Sequence, residues 1–269
     1  MDQTSRLDWH PSLADPTGRR TAKPRTTGRT MVIDKGLGLR AFEDMLRVAA
    51  PHIDVVKLGF GTSALYPEEA LRRKIETARE AGLLIMPGGT FLEVAVSQNL
   101  VDTFLATARG FGFTAVEVSD GTIEMNRDQR SALIVKAIDA GFTVVTEYGK
   151  KIFGSGIETE ELARTVEIDT ALGATFVTIE ARESGKGVGI FDENGACKTD
   201  DLDAIMHCVP DSSVLMWEAP LKSQQAELLQ ALGPNLNIGN VAPEDVLSLE
   251  ALRRGLRSDT FHLGMQARV

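Results

Sequence analysis

The chain has few of the residues that usually mark a metal-thiolate, zinc or secreted protein. Its 269 residues include two cysteines, Cys197 and Cys208, with no Cys-x-x-Cys pair. They read as two unpaired structural thiols in a reducing compartment. The four histidines, His10, His52, His207 and His262, are scattered and form no His-Glu-x-x-His motif. That argues against zinc. No apolar run approaches the roughly 20 residues that span a bilayer, and the N-terminus lacks the apolar core of a secretory signal. Positive charge is also in deficit. The net charge of −9 lacks the basic footprint of a nucleic-acid-binding protein. The expectation is a cytoplasmic protein with no membrane or nucleic-acid partner. Three catalytic signatures are missing as well: the Gly-x-Ser-x-Gly elbow, the Walker A loop, and a Gly-x-Gly-x-x-Gly turn after the first strand.

What is present is an ordinary globular balance, 43% hydrophobic and 25% charged. Residues 1–29 are polar and rich in Thr, Arg and Pro. They read as a loose arm or a cap over one end of the domain, with Trp9 as a candidate anchor. From residue 30 onward, short β-branched runs alternate with helical patterns. The expected strands are 30–34, 53–58, 83–86, 114–118, 142–147, 175–180, 213–218 and 236–239. Their near-continuous apolar character suits strands covered on both faces. Between the second and third strands, Pro67 suits the first position of a helix and Gly82 stops it after Ala81. Leu71, Ile75 and Ala78 share one helical face. Glycine stops recur at Gly141, Gly173 and Gly233. Eight βα units in series predict an α/β fold, a single-domain (β/α)8 TIM barrel over 30–261, followed by a short tail at 262–269.

In such a barrel, function sits at the C-terminal ends of the strands. Four successive strands carry a glutamate there: Glu117, Glu147, Glu180 and Glu218. Buried carboxylates are costly unless paired or bound to a metal. Oxygen ligands without His or Cys point to a hard cation, Mg2+ first. Lys57, Lys150, Lys151, Arg182, Lys186 and Lys222 add positive charge on the same rim. Glycine-rich turns at 59–61, 88–89 and 185–189 allow close approach of a phosphate. Ser223 is placed to cap the helix after the seventh strand, with Gln224 and Gln225 in its first turn, where an anion could bind. A lysine Schiff base is a further option. The residues alone reach a lyase, aldolase or isomerase acting on a phosphorylated acid.

The motifs VIDKGLG (32–38), KLGFGTS (57–63), MPGGT (86–90), AVEVSDGTIE (115–124), VVTEYGKK (144–151), TIEARESGKGVGIFDENG (178–195), WEAPLKSQQ (217–225) and VLSLEALRRGLRSDTF (246–261) resemble the phosphosulfolactate synthase family. The resemblance spans about 30 to 261. It implies a (β/α)8 barrel and one reaction, the Mg2+-dependent addition of sulfite to phosphoenolpyruvate to give (2R)-phospho-3-sulfolactate. The product would feed coenzyme M or another sulfonate. Within that reading Lys151, the second lysine of the Gly-Lys-Lys motif, is the expected general acid, and Lys150 the second choice. Alternation along the chain puts the two on opposite sides. Glu147 and Glu180 are the first candidates for the metal, with Asp120, Glu117 and Glu218 as further ones. Arg182, Ser184, Lys222, Gln225 and Asn240 are candidates for the substrate's anionic groups, and Lys35 and Lys57 for sulfite or the substrate carboxylate. The apolar, glycine-rich loop 152–157 matches nothing specific in the family and could be a lid. Two alternatives stand beside this reading. One is a related barrel lyase with a different nucleophile or phosphorylated acid. The other is a non-catalytic relative, since plant heat-tolerance proteins also resemble the family. Exposed apolar barrel helices lead to the expectation of a homo-oligomer.

Overall fold

The computed structural model describes residues 8–266. The strands are β1 (Thr30–Asp34), β2 (Val55–Leu58), β3 (Leu84–Pro87), β4 (Ala115–Val118), β5 (Thr143–Tyr148), β6 (Val177–Ile179), β7 (Leu215–Glu218) and β8 (Ile238–Val241). The helices are α1 (Pro11–Ala14), α2 (Leu39–Ala49), α3 (Glu68–Glu80), α4 (Gly89–Ser97), α5 (Val101–Phe111), α6 (Arg127–Asp139), α7 (Thr159–Ala171), α8 (Thr199–Cys208), α9 (Lys222–Leu232), α10 (Val246–Arg253) and α11 (Phe261–Gln266). All strand pairs are parallel, in the order β3-β2-β1-β8-β7-β6-β5-β4. The remaining seam, β3 against β4, is closed by Thr114. Its N–H donates to Ile85 O at 3.1 Å, and its hydroxyl accepts from Ile85 N at 2.9 Å. The molecule is the (β/α)8 TIM barrel that the strand count predicted.

The eighth strand begins two residues later than its apolar pattern suggests. Asn237 spends its side chain in place of a ladder position. Its amide donates to Ser213 O and Leu215 O at 2.7 and 2.9 Å, and its carbonyl accepts from Arg29 N at 3.0 Å. In α3, Leu71, Ile75 and Ala78 are buried as their spacing requires, and Gly82 follows with φ +69°. Pro67 is the cap rather than the first helical residue. Lys74 lies on the same buried face, an outcome that periodicity does not foretell. Its ammonium pairs with Asp34 at 2.5 Å and donates to Tyr66 Oη at 2.9 Å.

Met31, Val55, Met86, Ala115, Val145, Phe176 and Met216 form a separate apolar plug inside the barrel. Side chains alternate along a strand, so two residues farther on the chain again faces inward. From four of these plug positions that step reaches Lys57, Glu117, Glu147 and Glu218. The charged site is therefore the next interior layer above an apolar floor. The opposite end of the barrel is covered by the N-terminal segment. Arg20 pairs with Glu250 at 3.0 Å, Arg25 with Asp54 at 2.8 Å, and Lys23 donates to Ala50 O at 2.9 Å. Trp9 does not anchor this segment: it is 81% exposed. The anchors are cations aimed at carboxylates and at a backbone carbonyl just before β2. A cleft of about 410 Å³ lies outside the barrel, among α3, α4 and α5, with a mostly apolar lining that includes Phe91, Phe104 and Phe111. It is larger than the cavity at the strand ends, but Tyr66 and Glu68 are the titratable residues among those that line it. Among the described residues, no helix is long and apolar enough to cross a membrane.

Candidate active site

A cavity of about 330 Å³ opens at the C-terminal ends of the strands. Lys57, from β2, lies on its floor. Its Nζ is 3.0 Å from Glu218 Oε1, 3.2 Å from Glu117 Oε1 and 3.7 Å from Glu147 Oε2. Glu117 and Glu218 are fixed further by backbone donors. Gly89 N donates to Glu117 Oε2 at 2.9 Å, and Ala181 N to Glu218 Oε2 at 3.1 Å. Lys151 follows β5 and folds back over its end. Its Nζ is 2.8 Å from Glu147 Oε1, 3.4 Å from Glu180 Oε2 and 3.4 Å from Thr90 Oγ1. Gly149, with φ +126°, makes that fold-back possible, and a Cβ there would lie 2.8 Å from Cβ of Glu180.

Glu147, Glu180 and Glu218 are all buried, and each offers a carboxylate oxygen within 4.8 Å of the other two. Glu147 Oε1 and Glu180 Oε2 lie at ion-pair distance from Lys151 but receive no aligned hydrogen bond. Buried acceptors left open in a cluster of three carboxylates fit a hard divalent cation.

The electrostatics follow from this crowding. Burial pushes Glu147 upward, but Lys151 and then Lys57 outweigh it and bring its carboxyl down to about 2. Glu180 goes the other way: burial first, then the charges of Glu147 and Glu218, hold its carboxyl well above the usual range. Burial pushes Glu117 up to about 7, against the pull of Lys57. Burial disfavours both ammonium groups, yet the surrounding carboxylates raise Lys57 and Lys151 above the ordinary lysine value. Both lysines therefore carry their protons at neutral pH.

Of the residues singled out in the sequence, the structure brings Lys57, Lys151, Glu117, Glu147, Glu180, Glu218, Arg182 and Asn240 to the cavity wall. Asn240 is 5% exposed and its Oδ1 has no partner. Lys35 reaches across the mouth to Glu183, 2.6 Å away.

Other expected site residues lie elsewhere. Lys150 points away from Lys151 and donates to Asp120 O and Ile123 O at 2.9 and 3.1 Å. Asp120 pairs with Arg130 at 3.0 Å outside the carboxylate group. Lys222 is tied to Asp245 at 2.9 Å, because it begins α9 rather than lining the barrel. Gln225 is buried in α9 and donates to Ala219 O at 3.0 Å. Ser184 is exposed in the loop after β6 and only accepts from Lys186 N at 3.4 Å. Ser223 is inside α9, whose cap is Leu221. In each case the residue follows a strand in sequence, but the turn carries its side chain off the barrel axis.

The structure also adds residues that strand-end reading could not reach. Glu93 on α4 is buried and accepts from Ser119 Oγ, from Gly121 N at 3.2 Å and from Thr122 N at 2.8 Å, which fixes the loop after β4. The signal was a lone glutamate in the apolar stretch 91–96. Arg130 on α6 donates to Asp169 Oδ2 at 2.8 Å and, through the same nitrogen, to the backbone oxygen of Glu147 at 3.0 Å. It braces Glu147 from behind. Three non-glycine residues on the cavity wall have left-handed backbones: Phe60 (φ 57°), Arg182 (φ 61°) and Asn240 (φ 53°). Such conformations cost of order 1–3 kcal/mol each and gather at functional sites.

The comparisons with known proteins agree with this geometry. A model of the (2R)-phospho-3-sulfolactate synthase family (ComA) matches residues 18–259. The chain belongs to this family. The phosphosulfolactate synthase of Methanocaldococcus jannaschii is 42% identical over 236 residues, 87% of this chain and 94% of that protein. The one from Methanothermobacter thermautotrophicus is 38% identical over 247 residues, 91% and 95% of the two chains. Among solved structures, N-acetylneuraminate lyase from Mycoplasma synoviae superposes with a TM-score of 0.55 at 10% identity, over 90% of this chain and 79% of that one. At that identity the likeness speaks for the barrel alone. Membership of the family makes the chain an enzyme of the phosphosulfolactate synthase kind, and the charged cavity is its candidate active site.

Proposed function

We propose that the protein adds sulfite to phosphoenolpyruvate to form (2R)-phospho-3-sulfolactate, with Mg2+ held by Glu147, Glu180 and Glu218. One observation carries this reading: three buried carboxylates converge beside Lys151 in a barrel of this family. Bound there, the ion supplies Lewis-acid stabilisation of negative charge on the substrate's carboxylate. The remaining steps belong to the chain's own residues. Arg182 and Asn240 face the cavity and can bind the substrate's anionic oxygens from the rim. Lys57 has its ammonium committed to Glu117 and Glu218, so it acts by charge and by holding those carboxylates in place. Sulfur attack at the methylene carbon moves the enol electron pair to C2. Lys151, which carries its proton at neutral pH, delivers that proton to C2 from one face. The product then serves coenzyme M or another sulfonate route. Incubation with phosphoenolpyruvate, sulfite and Mg2+ tests the reading by mass spectrometry. Phosphosulfolactate is the expected product. Its absence under conditions where the Methanocaldococcus jannaschii relative forms it would overturn the assignment.

A further inference from the structure

Most residues of the cavity wall carry charged or polar groups, with the carbon stems of those side chains exposed between them. Among the described residues that line it, Ile33 and Phe60 supply the apolar side chains. Phe60 is held in an unusual way. Its φ of 57° is a conformation that glycine adopts freely and an aromatic residue rarely does. The loop carrying it rests directly on Gly88: a Cβ there would lie 2.6 Å from both the N and the O of Phe60. Gly88 N donates to Leu58 O at 2.8 Å, and Gly59 N to Asp34 O at 2.8 Å, which ties this turn to β1 and β3. Ile33 lies behind the same turn, 3.1 Å from where a Cβ of Gly59 would be. The ring of Phe60 adds little to the core, since the residue is 43% exposed. The backbone conformation does not ask for an aromatic residue here, and the residue lines the cavity.

We propose that Phe60, backed by Ile33, determines specificity at the reacting carbon, receiving the unsubstituted methylene of the enol phosphate and excluding substituted ones. The proposal rests on the sulfite-addition reading above. Phosphoenolpyruvate has two anionic ends and one apolar edge, its CH2 group. The anionic ends are drawn to Lys57, Lys151 and Arg182 and to the carboxylate-bound cation. The apolar edge is left for the apolar side chains of the wall, Phe60 and Ile33. In the reaction the sulfite sulfur lone pair forms the C–S bond at that carbon. The C=C π pair moves to C2 and takes the Nζ proton of Lys151, and no bond to phosphate breaks. Attack comes perpendicular to the enol plane. In this arrangement the ring bounds the in-plane edge of the enol, so the attacked face stays open and an added methyl group meets the ring.

The test compares kcat/KM for phosphoenolpyruvate and for its (Z)-3-methyl analogue in wild type, Phe60→Ala, Phe60→Leu and Phe60→Gly. The ratio of the two values from one preparation does not depend on the fraction of folded enzyme. Wild type should prefer phosphoenolpyruvate. One methyl group in an apolar pocket is worth roughly 10–200-fold, so Phe60→Ala should lower that preference by about tenfold or more, with Phe60→Leu in between. Phe60→Gly should loosen it equally while raising thermal stability, because glycine fits the φ. An unchanged ratio in Phe60→Ala, or a ratio that follows backbone strain rather than side-chain size, overturns the proposal. Failure of wild type to convert phosphoenolpyruvate at all overturns the functional reading instead, which keeps the two failures separate.

Discussion

Lys151 Nζ lies 2.8 Å from Glu147 Oε1, four residues back along a chain that is not helical there. The contact exists because Gly149 reverses the backbone just past β5. It places an ammonium at the edge of the three-carboxylate cluster.

The first prediction concerns that donor. Lys151→Ala should lower kcat by about 10²–10⁴, the usual contribution of a positioned acid, with near-normal far-UV circular dichroism. Turnover like that of wild type would remove Lys151 from the mechanism.

Lys57 makes a different prediction, about stability. Removing one partner of a buried charge group typically costs about 3–5 kcal/mol, so Lys57→Met should unfold at markedly lower urea. Its ammonium contacts Glu117 and Glu218 directly. The double variant Lys57→Met/Glu117→Gln should recover part of the loss. Additive effects in that cycle would show that the two residues are not coupled.

Glu117 offers a pH test in the presence of chelator. Its carboxyl titrates near 7 in the folded protein, pushed up by burial, against an ordinary value of 4.5. Between those values the folded state binds a proton that the unfolded state does not, so Glu117's contribution to stability falls as pH rises through that window. Glu117→Gln should flatten this part of the curve of Tm against pH. Identical curves for variant and wild type would contradict the assignment.

Arg130 touches no substrate-facing atom, but it braces the backbone oxygen of Glu147 against Asp169. Arg130→Met should weaken Mn2+ binding, followed by electron paramagnetic resonance, by about 10–100-fold, the range seen when supports of metal ligands are lost. A lower Tm with unchanged Mn2+ affinity would make Arg130 a structural residue only.

The barrel was legible in the sequence because strands covered on both faces write long apolar runs, and eight such runs leave few topologies. The four glutamates and Lys57 were legible for a related reason. Lys57, Glu117, Glu147 and Glu218 follow plug residues by one inward step of two, and Glu180 lies two such steps beyond Phe176, so strand position alone locates them. What lay beyond reach was side-chain direction after the strands end. Lys150 and Lys151 are adjacent, yet one turns to Asp120 O and the other to Glu147. Lys222 and Gln225 look like rim residues by sequence distance, but α9 begins at once and carries them away from the axis. Glu93, Arg130 and Asp169 sit on helices and act through long-range contacts that no local pattern records. Trp9 shows the converse, an aromatic residue in a polar arm that stays 81% exposed.

In the proposed reaction the Glu147, Glu180 and Glu218 cluster holds the cation on which sulfite addition depends. The most direct measurement follows phosphoenolpyruvate and sulfite by 31P NMR with metal-stripped protein, before and after Mg2+ is added. No phosphosulfolactate signal is expected before the addition and steady formation after it, with Glu180→Gln silent in both. Full product formation by the metal-stripped protein would contradict that dependence.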